Sequence, residues 1–433
     1  MAALAKKQHQ QNKYRKRNFY LIQMFPIFII ALANTMDSPQ NIFDGFRKMI
    51  FSSDILITDY VELAGLSATL INASLLFMGI SFLAYRLQIK LNGMLIAAIF
   101  MTVGFSFFGK NIFNVIPLYL GGYIYSKIQK VDFKNIFVII IFSSALAPVV
   151  SEIAFGLSLP LYYSIPASIL FGAFCGFIIT PLSANTIAIH DGFNLYNVGF
   201  SAGLIALVIN SIFKTLGINL KPSQILSTEH SLFFFVMLCL LFTLFIVVGF
   251  TLSKLSFKET LKKYTRIFHY SGKLITDFTQ LEGYGITYIN MGIMGFIALL
   301  FVCLTGGLDS LNGPIVGAIF SIFGFSAFGN HPKNSIPIFV GVYLCSLLHL
   351  WDANSTTYIV AGLFATALAP IAGRYGIIAG LFVSFLHLAV VTNLHTVHGG
   401  LNLYSNGFSC GLIASIVYPI FNIFSPSHKK RKV

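Results

Sequence analysis

Long apolar runs recur along this chain, and they constrain its fold more than any other feature. They lie near 19–36, 61–85, 93–109, 112–127, 135–152, 162–182, 198–213 and 231–253. After a polar stretch they resume near 284–306, 311–328, 335–350, 356–372, 376–393 and 404–424. Crossing a hydrocarbon layer of about 30 Å takes roughly 20 helical residues, and backbone within that layer must satisfy its own hydrogen bonds. The predicted fold class is all-α: a polytopic membrane protein of fourteen segments, several of them short. Composition excludes an ordinary water-soluble enzyme, because only 10% of residues are charged and 56% are hydrophobic, against about 25% charged in soluble domains.

The formal net charge of +14 would raise the question of nucleic acid in a soluble protein. Its distribution points elsewhere. With a cytoplasmic N-terminus, the clusters Lys6 to Arg17, Arg86 and Lys90, Lys127 to Lys134, Lys254 to Lys273 and Lys429 to Lys432 all fall on the cytoplasmic side. Only Arg47, Lys48, Lys214 and Lys221 fall outside, with Lys110, Lys333 and Arg374 inside the repeated motifs, which is the asymmetry of the positive-inside rule. The expected location is the cell membrane, multi-pass, with both termini cytoplasmic. The basic residues then meet anionic headgroups, and membrane lipid is a partner where nucleic acid is not. The first run ends in Ala31-Leu-Ala33, as a cleaved signal does; its length and extended basic tail favour retention as a helix. Cys175, Cys239, Cys303, Cys345 and Cys410 all lie in apolar runs and read as small buried hydrophobes. No metal site and no cofactor is expected.

The chain repeats itself. Leu91-Asn-Gly93 returns as Leu311-Asn-Gly313, and Gly104-Phe-Ser-Phe-Phe-Gly-Lys110 as Gly324-Phe-Ser-Ala-Phe-Gly-Asn330. Asn114-Val-Ile-Pro117 returns as Asn334-Ser-Ile-Pro337, and Ala145-Leu-Ala-Pro148 as Ala367-Leu-Ala-Pro370. The stretch from His190 through Asn194-Leu-Tyr196 to Ala206 matches His398 through Asn402-Leu-Tyr404 to Ala414. The predicted organisation is a tail, first helix and outer loop (1–56), repeat 1 (57–214), a linking helix and basic loop (215–274), repeat 2 (275–424) and a basic tail (425–433). Seven segments separate the start of one copy from the start of the next. An odd number of crossings inserts the copies in opposite orientation, and such inverted repeats recur in transporters with a site near the midplane at the repeat interface.

Polar clusters inside the repeats are the candidate site. Segments 108–117 and 328–337 read either as ordinary interfacial loops or as broken or re-entrant helices, whose irregular backbone is tolerated at membrane depth where it lines a cavity. They offer Lys110, Asn111, Asn114, Lys333 and Asn334 to a polar or anionic solute. Asn185, His190, Asn194, Asn393, His398 and Asn402 are expected along the path, since polar groups at that depth tend to face a cavity. Glu152 and Arg374 occupy equivalent positions with opposite charge: they are expected to pair if both lie near the midplane, whereas the simple topology puts them at opposite membrane faces. No catalytic residue is assigned: duplicated polar motifs favour transport over a membrane-embedded enzyme using His and Asp. A small-molecule solute is the expected partner, and a homo-oligomer is compatible with the sequence.

The repeated Phe-Gly-x-x-x-x-Asn-x-Ile-Pro and His-x-Gly-x-Asn-Leu-Tyr-x-x-Gly-Phe-Ser-x-Gly-Leu motifs resemble those of a bacterial family of polytopic membrane proteins of unknown function. That resemblance covers nearly the whole chain and implies no activity. Ser405-Asn-Gly-Phe-Ser-Cys-Gly-Leu412 is similar, more distantly, to a stretch of urea transporters, and implies a passive urea- or amide-type channel as an alternative. Copy one departs from that pattern at Asn197-Val-Gly199, and the urea transporters' Leu-Pro-x-x-Thr-x-Pro-Phe filter is not found.

Overall fold

The computed structural model describes residues 2–220, 223–227, 229–350 and 352–424, and within them each of the fourteen apolar segments is helical. The basic tail 425–433 and Lys221 lie outside the described residues. Helices α1 (Ala2–Met36) and α2 (Pro39–Ile50) lead into strand β1 (Leu56–Thr58). Repeat 1 contributes α3 (Leu66–Arg86), α4 (Gly93–Phe105), α5 (Ile112–Ile128), α6 (Phe133–Gly156), α7 (Leu161–His190) and α8 (Asn197–Thr215). Strand β2 (Ser223–Ile225), α9 (Ser231–Ser253) and α10 (Phe257–Tyr264) lead to repeat 2. There α11 (Tyr284–Thr305), α12 (Gly313–Phe325), α13 (Pro332–Ser346), α14 (Thr356–Tyr375), α15 (Ile377–Val391) and α16 (Ser405–Phe424) repeat the order of α3 to α8. β1 and β2 pair in parallel, Leu56 opposite Ser223, and tie the entry of repeat 1 to the linker.

Eight helices among the described residues (α3, α6, α7, α8, α9, α11, α14 and α16) are long and apolar enough to cross a membrane. Their packing divides them. The most apolar stretches of α6 and α14 are 89% buried within the protein, whereas that of α9 is only 28% buried and turns Leu232, Leu240 and Val247 outward. Water would not tolerate so extended an apolar face, and lipid does. This is a membrane protein with two helices at its core and others at its rim.

The two shortest helices of the repeats, α4 and α12, form the centre. Each has 13 residues, about 20 Å of rise, which is shorter than a hydrocarbon layer. They run antiparallel and touch backbone to backbone: a Cβ added at Gly104 would overlap the Gly317 carbonyl oxygen, and one at Gly317 would overlap that of Gly104. Their ends are exchanged between the repeats. Asp59, at the entry of repeat 1, accepts from the Gly313 N–H that opens α12 (3.0 Å), from Val61 N–H (2.9 Å) and from Ser227 N–H (3.1 Å). Asp277, at the entry of repeat 2, accepts from the Gly93 N–H that opens α4 (3.1 Å) and from Thr279 N–H (2.9 Å). Carboxylates suit free N–H groups at a helix N-terminus, so each repeat holds the start of the other's central helix. A second crossing lies between α8 and α16, where Gly199 and Gly407 let the two helix backbones touch.

Candidate functional site

Past the ends of α4 and α12 the chain breaks in the same way in both repeats. Gly109 and Gly329 take positive φ angles of 80° and 101°, a conformation that glycine adopts without cost. Behind each break stands a buried asparagine. Asn72 donates to the Ser106 and Lys110 carbonyls (3.0 and 2.9 Å), and Asn290 to those of Ser326 and Asn330 (2.7 and 2.8 Å). The next helix is capped by a reciprocal box, Asn111 with Asn114 on α5 and His331 with Asn334 on α13. Two amide groups therefore stand at fixed positions beside each break before any question of ligand arises.

The side chains presented by the breaks differ. Lys110 is fully buried, and its Nζ donates to the hydroxyl of Tyr404, which comes from the other repeat. Nζ also lies 4.5 Å from the Tyr404 ring centroid and 5.1 Å from that of Phe105. Among the described residues no carboxylate lies within ion-pair distance of it. The Tyr404 hydroxyl stands beside Ser144 and Tyr119, and the buried Tyr119 hydroxyl faces the same Ser144. The counterpart of Lys110 is Asn330, equally buried, neither of whose side-chain polar atoms has a partner. Tyr196, the counterpart of Tyr404, has a buried hydroxyl that faces Thr366. An aromatic bridge joins the halves: Phe364 sits 5.5 Å from Phe105 and 5.7 Å from Tyr196, ring centre to ring centre.

The alternatives open for the two breaks and for the charge pair are distinguished by the packing of α4 and α12. The breaks at 108–117 and 328–337 do not converge on one mid-membrane cluster, because α4 and α12 are antiparallel and place Lys110 and Asn330 at opposite ends of the pair. Lys110, Asn111 and Asn114 stay together, while Asn334 lies about 20 Å of helix away, bonded to the Gly329 and Ser271 carbonyls. Lys333 points outward and is exposed. Nor do Glu152 and Arg374 pair: Glu152 accepts from Ser53 at the Lys110 end, whereas Arg374 adjoins Gly373, which packs on Ser271 at the other.

The remaining residues serve mainly the scaffold. Asn185 and Asn393 are exposed and bond back to the carbonyls of Pro181 and Ala389 on their own helices. Asn194 donates across the interface to the Gly407 carbonyl (3.0 Å), and Asn402 accepts from Tyr404 N–H (2.9 Å). His190 Nε2 lies 2.8 Å from Asn197 Oδ1, and His398 Nδ1 lies 3.2 Å from Ser405 Oγ.

Residues that sequence reasoning missed complete the Lys110 end. Asp54, fully buried, accepts through one oxygen from Ser151 Oγ (2.7 Å), Asn114 Nδ2 (3.1 Å) and Asn111 Nδ2 (3.3 Å). Tyr60 OH lies 3.2 Å from the same Asn111 amide. Tyr404 could have been found, since it stands inside the repeated Asn-Leu-Tyr motif. Asp54 could not, since its counterpart in repeat 2 is Gly272.

No curated protein and no solved structure matches the chain significantly, and the likeness to urea transporters finds no support. One family model does match, over residues 38–215 and 256–423, a footprint that takes in both repeats. The chain belongs to the family described as protein of unknown function, DUF1576.

Proposed function

We infer that this protein carries a small anionic solute across the cell membrane, binding it at Lys110 beside the interface of two inverted repeats. In this reading the fourteen apolar segments all lie in the membrane, with both termini on the cytoplasmic side, and the role is transport rather than catalysis. The observation that carries the reading is the environment of Lys110. An ammonium withdrawn from water without a carboxylate costs several kcal/mol, and here only a tyrosine hydroxyl and two aromatic rings offset that cost. An anion would supply the missing charge, and the neighbouring hydroxyls of Tyr404 and Tyr119 are placed to bond it. Because Lys110 is closed off from both sides, access requires the repeats to move, as in the rocking of one inverted repeat against the other. The α4–α12 crossing is the natural pivot, since each helix is anchored at its start by the opposite repeat.

Flux through proteoliposomes tests this, with nitrate, inorganic phosphate and acetate as probes. At least one of these anions is expected to move faster than through empty vesicles, with the excess lost in Lys110→Met. Flux equal in both proteins would remove Lys110 from the path. Urea serves as the neutral control and is expected to show no excess.

A further inference from the structure

The geometry points to Asp54 as a proton-binding site that couples solute movement to a proton gradient, loaded through Ser53 and Glu152 from a cleft at the same end of the molecule. The coupling rests on the transport reading above; the proton site itself does not.

Three observations carry it. First, one Asp54 oxygen accepts three side-chain donors while the other, Oδ1, is buried and has no hydrogen-bond partner among the described residues. An ionised carboxylate with a bare oxygen in the interior is costly. Protonated at Oδ2, the group can donate to Ser151 Oγ, which turns from donor to acceptor, and the oxygen left bare is then a neutral carbonyl. Second, the amides that sense this exchange belong to the Lys110 break: Asn111 and Asn114 cap α5, and Asn114 also donates to the Gly109 carbonyl (3.1 Å). A proton gained or lost at Asp54 therefore changes the bonding of the backbone that holds Lys110. Third, there is a route to water. An open cleft of about 760 Å³, lined by Asp44, Arg47, Lys48, Phe51 and Ser52, ends next to Ser53. Ser53 donates to Glu152, and Glu152 adjoins the Ser151 that bonds Asp54.

The groups facing Asp54 are few. Tyr60 approaches from the helical turn Tyr60–Ala64 and Glu152 from α6. The break at 106–111 presents Asn111, with the Lys110 ammonium turned to Tyr404. From α2 the Met49 carbonyl accepts from the same Asn111 amide, while Arg47 and Lys48 face the cleft. Burial pushes the Asp54 carboxyl up to about 7, and the hydrogen bonds from Ser151 and Asn114, with the nearby Tyr60 hydroxyl, pull against that rise. Repeat 2 has Gly272 at this position, so the site exists at one end only.

Infrared difference titration of the full-length protein in lipid vesicles reads the proton directly and needs no solute. The wild type is expected to show a carboxyl C=O band that titrates near pH 7 and is absent from Asp54→Asn. Ser151→Ala removes a donor to the ionised form and should move the midpoint up, while Glu152→Gln removes a like charge and should move it down. An Asp54→Asn spectrum identical to wild type, or a midpoint unmoved by Ser151→Ala, overturns the assignment. If Asp54→Asn does not fold, the Ser151→Ala shift still decides. Coupling is read separately, as uphill uptake of a probe anion into vesicles under an imposed pH gradient. Lys110-dependent flux that ignores the gradient overturns the coupling and leaves transport standing. A titrating Asp54 without any Lys110-dependent flux overturns the transport reading and leaves the proton site.

Discussion

The two ends of the α4–α12 pair share one scaffold and differ in what they hold. Asn72 and Asn290, Asp59 and Asp277, and the asparagine caps Asn92 and Asn312 make the same bonds in both repeats. At the first end the scaffold carries Asp54, Lys110, Tyr119 and Ser151; at the second the equivalent positions are Gly272, Asn330, Phe339 and Gly373. A group kept in both copies is needed wherever the backbone turns. A charged group present in one copy only does nothing for the shared turn, so its cost has to be explained by something else. That difference separates residues that build the fold from those that act.

The largest effect should come from breaking the shared set. Asp59→Ala strips three buried backbone N–H groups, including the start of α12, of their acceptor. Each such loss costs about 1–3 kcal/mol, and the expected result, read by size-exclusion chromatography in detergent, is little folded protein. Next comes Gly317→Ala, where the new methyl meets the Gly104 backbone, which has no rotamer to move. Separating the central helices should cost about 1–3 kcal/mol and lower the melting temperature in proportion.

Lys110→Met should act in the opposite sense. Replacing an uncompensated buried charge with a chain of similar volume is neutral or stabilising by about 1–4 kcal/mol, so Tm should hold or rise while anion flux disappears. Asp54 predicts a pH dependence. Its carboxyl holds a proton up to about pH 7 in the folded protein against an ordinary 3.8, so between those values the folded state binds more protons than the unfolded. This group's contribution to stability falls as pH rises through that window and is flat above it; Asp54→Asn should flatten the Tm profile there. The smallest effect belongs to Lys333→Ala, an exposed residue with no inward role, within about 0.5 kcal/mol and with flux unchanged.

The helical architecture and its duplication were legible in the repeat pattern alone, because each short central helix carries its own Asn cap and its own glycine break. The positions of the breaks in space were not. Spacing along the chain fixes which residues succeed each 13-residue helix, and crossing parity gives the copies opposite orientation, but only the exchange of Asp59 and Asp277 between repeats shows the two helices packed side by side with their breaks at opposite ends. A search for repeated polar motifs also favours residues of the scaffold. It found Asn194, which bonds across the interface, and Asn402, which braces its own loop, and passed over Asp54, whose partners Ser151 and Asn111 are remote in sequence and whose counterpart is a glycine.

The central claim, that Lys110 awaits an anion, is tested most directly by ligand-dependent melting of the purified protein in rising nitrate, inorganic phosphate and acetate. A ligand that binds only the folded state raises Tm as its concentration passes Kd. The account predicts a saturable rise with at least one of these anions in the wild type and none in Lys110→Met. An equal rise in both proteins, or no rise in the wild type with any of the three, would contradict it.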